Sequence, residues 1–440
     1  MNAIKDLNKI NDIIKNLNNQ NFDNALKKLK NINIDFSNNN LVTKLFASIY
    51  FKKKDWENSI KYYEKVLFFE NDKFKIYNNI GVALFNLGKI NQSIIFYHKS
   101  ITDNSNFDLA YNNLGISYIE LGAYEKAIDN FTSALNLNSN NYDAENNLIN
   151  SFLFVKPKNI DDHSLIKMND KINNIDNKIN ININSSIKLH DIKIILNQSQ
   201  DIINNHDYKF HFNETQIYRK NSINLNCNRH FKVFNEFNII PKYCFNCYKI
   251  QINLKDVLDL IKLFFLFDSL FLEKNNIRKC ITETRHNIAG NYKGYVYCEN
   301  LKDAEKVFSI LSQKITFEKI KITIKHGCSE FYNKFPDYQK IDFTGTQKMK
   351  YNEEWREKES IIDLRIPSRA ESDKKKNLPS VKGINLSDIL IIRNWLCYAK
   401  EIGDFSYKEI YDLEINSNFI NNILNPQLDF RKKDFLKKEK

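Results

Sequence analysis

Cys227 and His230, then Cys244 and Cys247, form two tight pairs in the stretch L-N-C-N-R-H-F-K-V-F-N-E-F-N-I-I-P-K-Y-C-F-N-C. A C-x-x-H or C-x-x-C pair puts two donors on one turn, and two such turns complete a tetrahedron. Thiolate and neutral imidazole are the donors that Zn²⁺ takes, at about 2.0–2.3 Å. Four protein ligands close the coordination sphere and leave no place for an activated water. The expectation is therefore a structural zinc that stabilises the chain and does no chemistry; another metal, or thiols without a ligand, are the alternatives.

The elements that must position these residues follow in order. C-Y-K-I-Q-I-N alternates as a strand, and L-K-D-V-L-D-L-I-K-L-F-F-L-F-D-S-L-F has helical spacing. I-R-K-C-I-T-E-T-R-H and Y-K-G-Y-V-Y-C flank N-I-A-G-N as a hairpin. A helix over L-K-D-A-E-K-V-F-S-I-L-S-Q-K and a strand over E-K-I-K-I-T-I-K-H-G complete the order β-α-β-β-α-β, that of a ferredoxin-like α+β sandwich. That topology gathers Cys247, Cys280, Cys298 and Cys328 at one end of the sheet, and a hairpin centred on Ala289 would set Cys280 across from Cys298. Cys280, Cys298 and Cys328, with His326, are thus a candidate second site: another zinc, a redox thiol or, less favoured, an iron–sulfur cluster. Plain burial of thiols at strand ends is the competing reading. Cys397, in I-L-I-I-R-N-W-L-C-Y-A-K, reads as core. Glu283, Arg285 and His286 read as charge beside a turn, with anion binding or proton movement as the alternative. No phosphate-cradling Gly loop, G-x-S-x-G or H-E-x-x-H occurs, so the chain leans away from enzymes.

The first third is periodic. Residues 74–107 and 108–141 superpose without gaps at 34 residues, and a third copy spans 40–73 with Trp56, Ser59, Tyr63 and Val66 in phase. Tyr111, Leu114, Gly115, Tyr118, then Gly122, Tyr124, Ala127, Phe131 and Ala134, carry a resemblance to the tetratricopeptide repeat. A degenerate copy begins near Asp6, kept by Phe22 and Ala25. The resemblance implies an α-solenoid of helix pairs that binds a protein or peptide partner along its first helices. It also implies that Asn79, Asn113 and Asn147, which recur at one repeat position, bond a ligand backbone; the abundance of Asn throughout the chain is the other explanation. The family's clamp for a terminal carboxylate is not expected: Lys75 falls in the groove, but 108–120 offers no Lys or Arg.

The remaining inferences concern the whole chain. Its 440 residues suit two or three domains. We place boundaries at 1–155 for the repeats, 156–206 for a polar Asn/Lys-rich linker, 207–335 for the Cys/His and ferredoxin-like domain, and 336–440 for a mostly helical basic region. Residues 1–150 hold 17 Lys and Arg against 16 Asp and Glu, so nearly all of the net charge of +12 lies beyond them. That basic excess admits an RNA partner. Y-K-G-Y-V-Y-C-E-N-L-K-D-A-E-K-V-F also resembles the third strand and second helix of an RNA-recognition motif, with Tyr292, Tyr295 and Tyr297 as base-stacking residues or sheet packing. The strand is shorter than that motif's and lacks its second aromatic pair. The apolar run at 257–272 carries Asp259, Lys262 and Asp268 and is too short to span a bilayer. No membrane, a cytoplasmic location and reduced cysteines are expected.

Overall fold

The computed structural model describes residues 2–31, 40–178, 188–206, 208–221, 225–285, 288–316, 320–339, 349–365, 379–410 and 424–439. Contacts divide the chain into two compact units, with the boundary between Leu148 and Ile149.

The first unit is a succession of helix pairs: α1 (Asn2–Asn18) with α2 (Phe22–Lys30), α3 (Asn40–Lys52) with α4 (Trp56–Val66), α5 (Phe74–Asn86) with α6 (Ile90–Asp103), and α7 (Asp108–Glu120) with α8 (Tyr124–Leu137), followed by the residues of α9 (Tyr142–Ser151) up to Leu148. Close helix approach explains the periodic glycines. A methyl group at Gly81 would stand 2.5 Å from the Tyr97 ring, and one at Gly115 would stand 2.5 Å from the Phe131 ring, the same contact one repeat later. Gly122 turns the chain between α7 and α8 at φ +70, where a side chain would be strained. The degenerate first pair buries Ile10, Ile13, Ala25 and Leu29 against Val42 and Phe46 of the next copy.

In the second unit, residues read as a linker carry α10 (Ser164–Lys178) and α11 (Leu189–Asn204). The linker expectation is corrected there; its residues 179–187 lie outside the described set. Leu165, Met168, Ile172 and Ile175 recur every three or four residues and are buried, and Ile192, Ile195, Leu196 and Ile203 form a matching stripe. A stripe this narrow needs little apolar mass when the facing element is hydrophobic. Asn169 Oδ1 accepts the Leu386 backbone N–H at 2.9 Å, tying α10 to the segment that would otherwise begin a separate C-terminal region.

Five antiparallel strands follow: β1 (Gln216–Arg219), then after α12 (Cys227–Phe237) comes β2 (Tyr248–Leu254), and after α13 (Val257–Ser269) come β3 (Arg278–Thr282) and β4 (Tyr292–Cys298). Then α14 (Leu301–Lys314) leads to β5 (Lys321–His326). The sheet order is β1-β3-β4-β2-β5. The edge strand β1 is an addition that a four-residue segment did not announce. One sheet face packs on helices: a methyl at Gly294 of β4 would meet Leu263 and Phe267 of α13. The other carries Lys249, Lys279, Lys293, Tyr295 and Tyr297 by strand alternation.

The helices α15 (Trp355–Arg365), α16 (Leu386–Ile402) and α17 (Leu428–Glu439) belong to this same unit rather than to a region apart. Trp395 of α16, fully buried, donates to Thr215 O at 2.8 Å, and Cys397 is buried as core. Arg219 of β1 holds Asp388 of α16 bidentately at 3.0 and 2.9 Å and Asp268 at 2.5 Å. In the basic tail, Arg431 is fully buried and donates to the backbone oxygens of Ile288, at 2.7 Å, and Arg285 on the β3–β4 hairpin. Its charge is structural there, not part of a solvated tail.

Candidate functional site

The two cysteine pairs lie at the entrance to β2. Asn226, at φ 51, turns the chain into α12, whose first residue is Cys227, an exposed side chain. Cys244 and Cys247 form a knuckle: Cys244 N donates to Pro241 O at 2.9 Å and Cys247 N to Cys244 O at 3.2 Å. Tyr338 Oη clamps it by donating to Cys244 O at 2.7 Å. His230 is buried with its ring stacked on Tyr243, centroids 5.2 Å apart. Burial, with Arg229 beside it, pushes His230 down to about 4, so the imidazole is neutral at pH 7. Burial pushes Cys227 up to about 11 and Cys247 up to about 12 as free thiols. Among the described residues, no three His, Cys, Asp or Glu side chains converge closely enough, as they stand, to hold a metal ion.

The proposed second set does not assemble. Cys280 pairs with Gly294 and with Ile217, not with Cys298, which pairs with Tyr248. The β3–β4 register is centred near residue 287 rather than Ala289, because Thr282 pairs with Tyr292 and the ladder continues through Glu283 N to Asn291 O at 2.8 Å. Cys298 therefore sits four residues beyond the partner of Cys280, roughly 13 Å along the strand. Cys328 joins the first set instead, in a thiol hydrogen bond with Cys244 that raises Cys244 and lowers Cys328. His326 is buried between the rings of Tyr248 and Tyr338 at 4.6 and 4.4 Å, and burial pushes it down to about 4.

Two other expectations are revised. Glu283 is not surface charge: it is 1% exposed and ion-paired with Lys293 at 2.9 Å and Arg285 at 2.8 Å. His286 lies outside the described residues. Tyr292 is fully buried on the helix-covered face and donates to Asp404 at 2.6 Å. Tyr295 is buried under Lys249, at 5.2 Å from its ring centroid. Neither presents an open ring to a base.

In the first unit, the repeated asparagines are half-buried and act between helices. Asn113 Nδ2 donates to Asn78 Oδ1 at 2.8 Å, and Asn147 Nδ2 to Asn112 Oδ1 at 2.9 Å. The same bond thus joins α5 to α7 and α7 to α9. Asn79 donates to Tyr63 Oη at 3.1 Å, since Lys44 stands where the previous copy would need Asn. A family model described as "Tetratricopeptide repeat" matches residues 109–141, and a second of that description matches 45–67 and 74–102. Residues 45–141 are tetratricopeptide repeats.

Solved structures similar to this chain include MamA, with 20% identity and a TM-score of 0.29 over 31% of this chain and 81% of that one. Another is the TPR2B domain of yeast Sti1 in complex with pHsp70, at 22% identity and a TM-score of 0.24, covering 25% and 92%. A third is the first such domain of Spaghetti (RPAP3) bound to an HSP90 peptide, at 26% identity and a TM-score of 0.25, covering 27% and 94%. No curated protein sequence matches the chain. The tetratricopeptide array exposes Leu41 and Leu109, two repeats apart at the same first-helix position, at 45% and 46%. No described helix is long and apolar enough to cross a membrane.

Proposed function

We propose that the protein is a cytoplasmic interaction scaffold in which the tetratricopeptide array binds a peptide or protein segment and the second unit is a zinc-stabilised, ferredoxin-like module. The observation that carries this reading is the inter-repeat amide bonding, which sets the first helices side by side as one continuous face. Asn113 spends one of the two amide N–H groups on Asn78, so it can hold its neighbour and a ligand carbonyl at once. Asn79 and Asn147 stand at the same position. Leu41 and Leu109 on this face suit an apolar side chain of the ligand. An acidic terminal peptide is not the proposed ligand, since α7 has no cation to receive it.

The ferredoxin-like reading rests on the order β2-α13-β3-β4-α14-β5, with β4 and β2 central and the helices on one face. Zinc is supported by the donor types and the knuckle of Cys244 and Cys247. RNA binding is the weaker reading, because Tyr292 and Tyr295 are buried. A thiol enzyme built on Cys280, Cys298 and Cys328 loses its basis once those residues part.

The test is selection of peptides from a display library on the full chain, followed by affinity measurement with Leu109→Asp and Asn113→Ala. We expect each substitution to weaken the selected peptides about tenfold or more, with the circular dichroism unchanged. Peptides bound equally by both variants and the parent would refute the groove.

A further inference from the structure

We infer that the fourth ligand of the zinc site is Cys328 and not His230, so that Cys227, Cys244, Cys247 and Cys328 form a closed four-thiolate centre. This rests on the zinc reading above and changes its ligand set.

Sheet register brings Cys328 to the knuckle across eighty-odd residues of sequence. β5 pairs with β2 so that His326 lies opposite Tyr248, and Gly327 N then donates to Cys247 O at 2.8 Å, extending the ladder by one step. Cys328 is the next residue. Its side chain packs against the cluster of Cys244, Phe245, Phe331 and Tyr338. At Gly327 a side chain is forbidden, because its first carbon would stand 2.4 Å from Cys247 Sγ. Glycine there lets the Cys247 sulfur lie against the chain that delivers Cys328. Cys227 lies within electrostatic reach of Cys328, and Cys247 within reach of both. Tetrahedral Zn–S arms of about 2.3 Å require sulfurs roughly 3.8 Å apart, similar to the span of a thiol–thiol hydrogen bond such as Cys244 makes with Cys328. As they stand, only Cys244 and Cys328 are joined, so closing the site asks Cys247 and the exposed Cys227 to draw in around them.

His230 faces other groups. Its ring is stacked on Tyr243, and the charges around it are Arg229, Glu359 and Asp363. Arg229 in turn joins Asp363 at 2.8 Å and Glu359 at 2.5 Å, so this side of α12 docks on α15.

One basic side chain lies beside the same cysteines. Lys249 is 5% exposed and makes no ion pair among the described residues; its Nζ reaches Ser329 Oγ at 3.4 Å and lies over the Tyr295 ring, 5.2 Å from its centroid. Glu330, the carboxylate it senses, is itself paired with Arg285 at 3.5 Å. Zn²⁺ with four thiolates carries a net charge of −2, and Lys249 lies within reach of both Cys247 and Cys328. With His230 as the fourth ligand, the centre would carry only −1.

The experiment uses the full chain purified under reducing, anaerobic conditions. Zinc is quantified, then replaced by Co²⁺, whose thiolate-to-cobalt charge-transfer absorption grows with the number of thiolates. One equivalent of zinc and a four-thiolate cobalt spectrum are expected. That spectrum should persist in His230→Ala and fall away in Cys328→Ser, with metal affinity weakened more than about 100-fold. Differential alkylation of the wild-type chain guards against a variant that does not fold: zinc should shield Cys328 along with Cys227, Cys244 and Cys247, and chelation should release all four. A three-thiolate spectrum that survives Cys328→Ser and disappears in His230→Ala would overturn the assignment while keeping the zinc. A wild-type chain that binds neither metal would overturn both.

Discussion

Replacing Glu283 with Gln removes the counter-charge of Lys293, a side chain that is 2% exposed in the β3–β4 hairpin. Burial opposes ionisation of Glu283, but hydrogen bonds from Arg285 and Lys293 override it and hold the carboxyl down at about 2, from an ordinary 4.5. Burial lowers Lys293 to about 8, so it too is charged at pH 7. A depression of about 2.5 pK units at about 1.36 kcal/mol each corresponds to roughly 3 kcal/mol at neutral pH. Because the folded pKa lies below the unfolded one, this stability is fully present above pH 4.5 and is lost as pH falls toward 2. The assay is urea unfolding of the full chain and of Glu283→Gln, followed by the fluorescence of Trp355 and Trp395 in the second unit. We expect a gap of about 2–3 kcal/mol at pH 7 that narrows steadily below pH 4.5. A gap under about 1 kcal/mol, or one equal at pH 7 and pH 3, refutes the account of the pair.

Gly115→Ala should lower the array's stability by about 1–3 kcal/mol, read by thermal melting of the helical signal, because the new methyl meets Phe131 at 2.5 Å; an unchanged melt counts against that packing. Arg219→Leu strands Asp388 and Asp268 in the interior and should cost the second unit about 3–5 kcal/mol in denaturant, whereas a near-neutral result would mean that water reaches them. Chelation of the wild-type chain should lower the melting temperature of the second unit and leave that of the repeats alone; equal melting with and without chelator argues against a structural metal.

Legibility followed the range of the forces involved. The repeats were readable because each Gly–aromatic contact, Gly81 to Tyr97 or Gly115 to Phe131, closes within one 34-residue copy and is then repeated. The strand and helix order between Tyr248 and His326 was readable from local periodicity. The hairpin register was not, since it depends on how Glu283, Lys293 and Asn291 pair inside the fold rather than on the turn residues. The stripe of Leu165, Met168, Ile172 and Ile175 looked too thin for a helix because α16, which completes it, lies over two hundred residues away. For the same reason spacing brings forward His230, which is adjacent in sequence, whereas the β2–β5 pairing that sets Cys328 beside Cys244 appears only in three dimensions.

Arg431 sets a timetable for synthesis. The hairpin oxygens at Arg285 and Ile288 receive their donor from a residue 143 to 146 positions downstream. At about 5–20 residues per second, a ribosome needs roughly 7–30 s to reach it. During that interval the array, whose contacts are local, can finish folding, while the hairpin stays open at two carbonyls. A nascent chain would thus carry a folded repeat array well before its second unit closes.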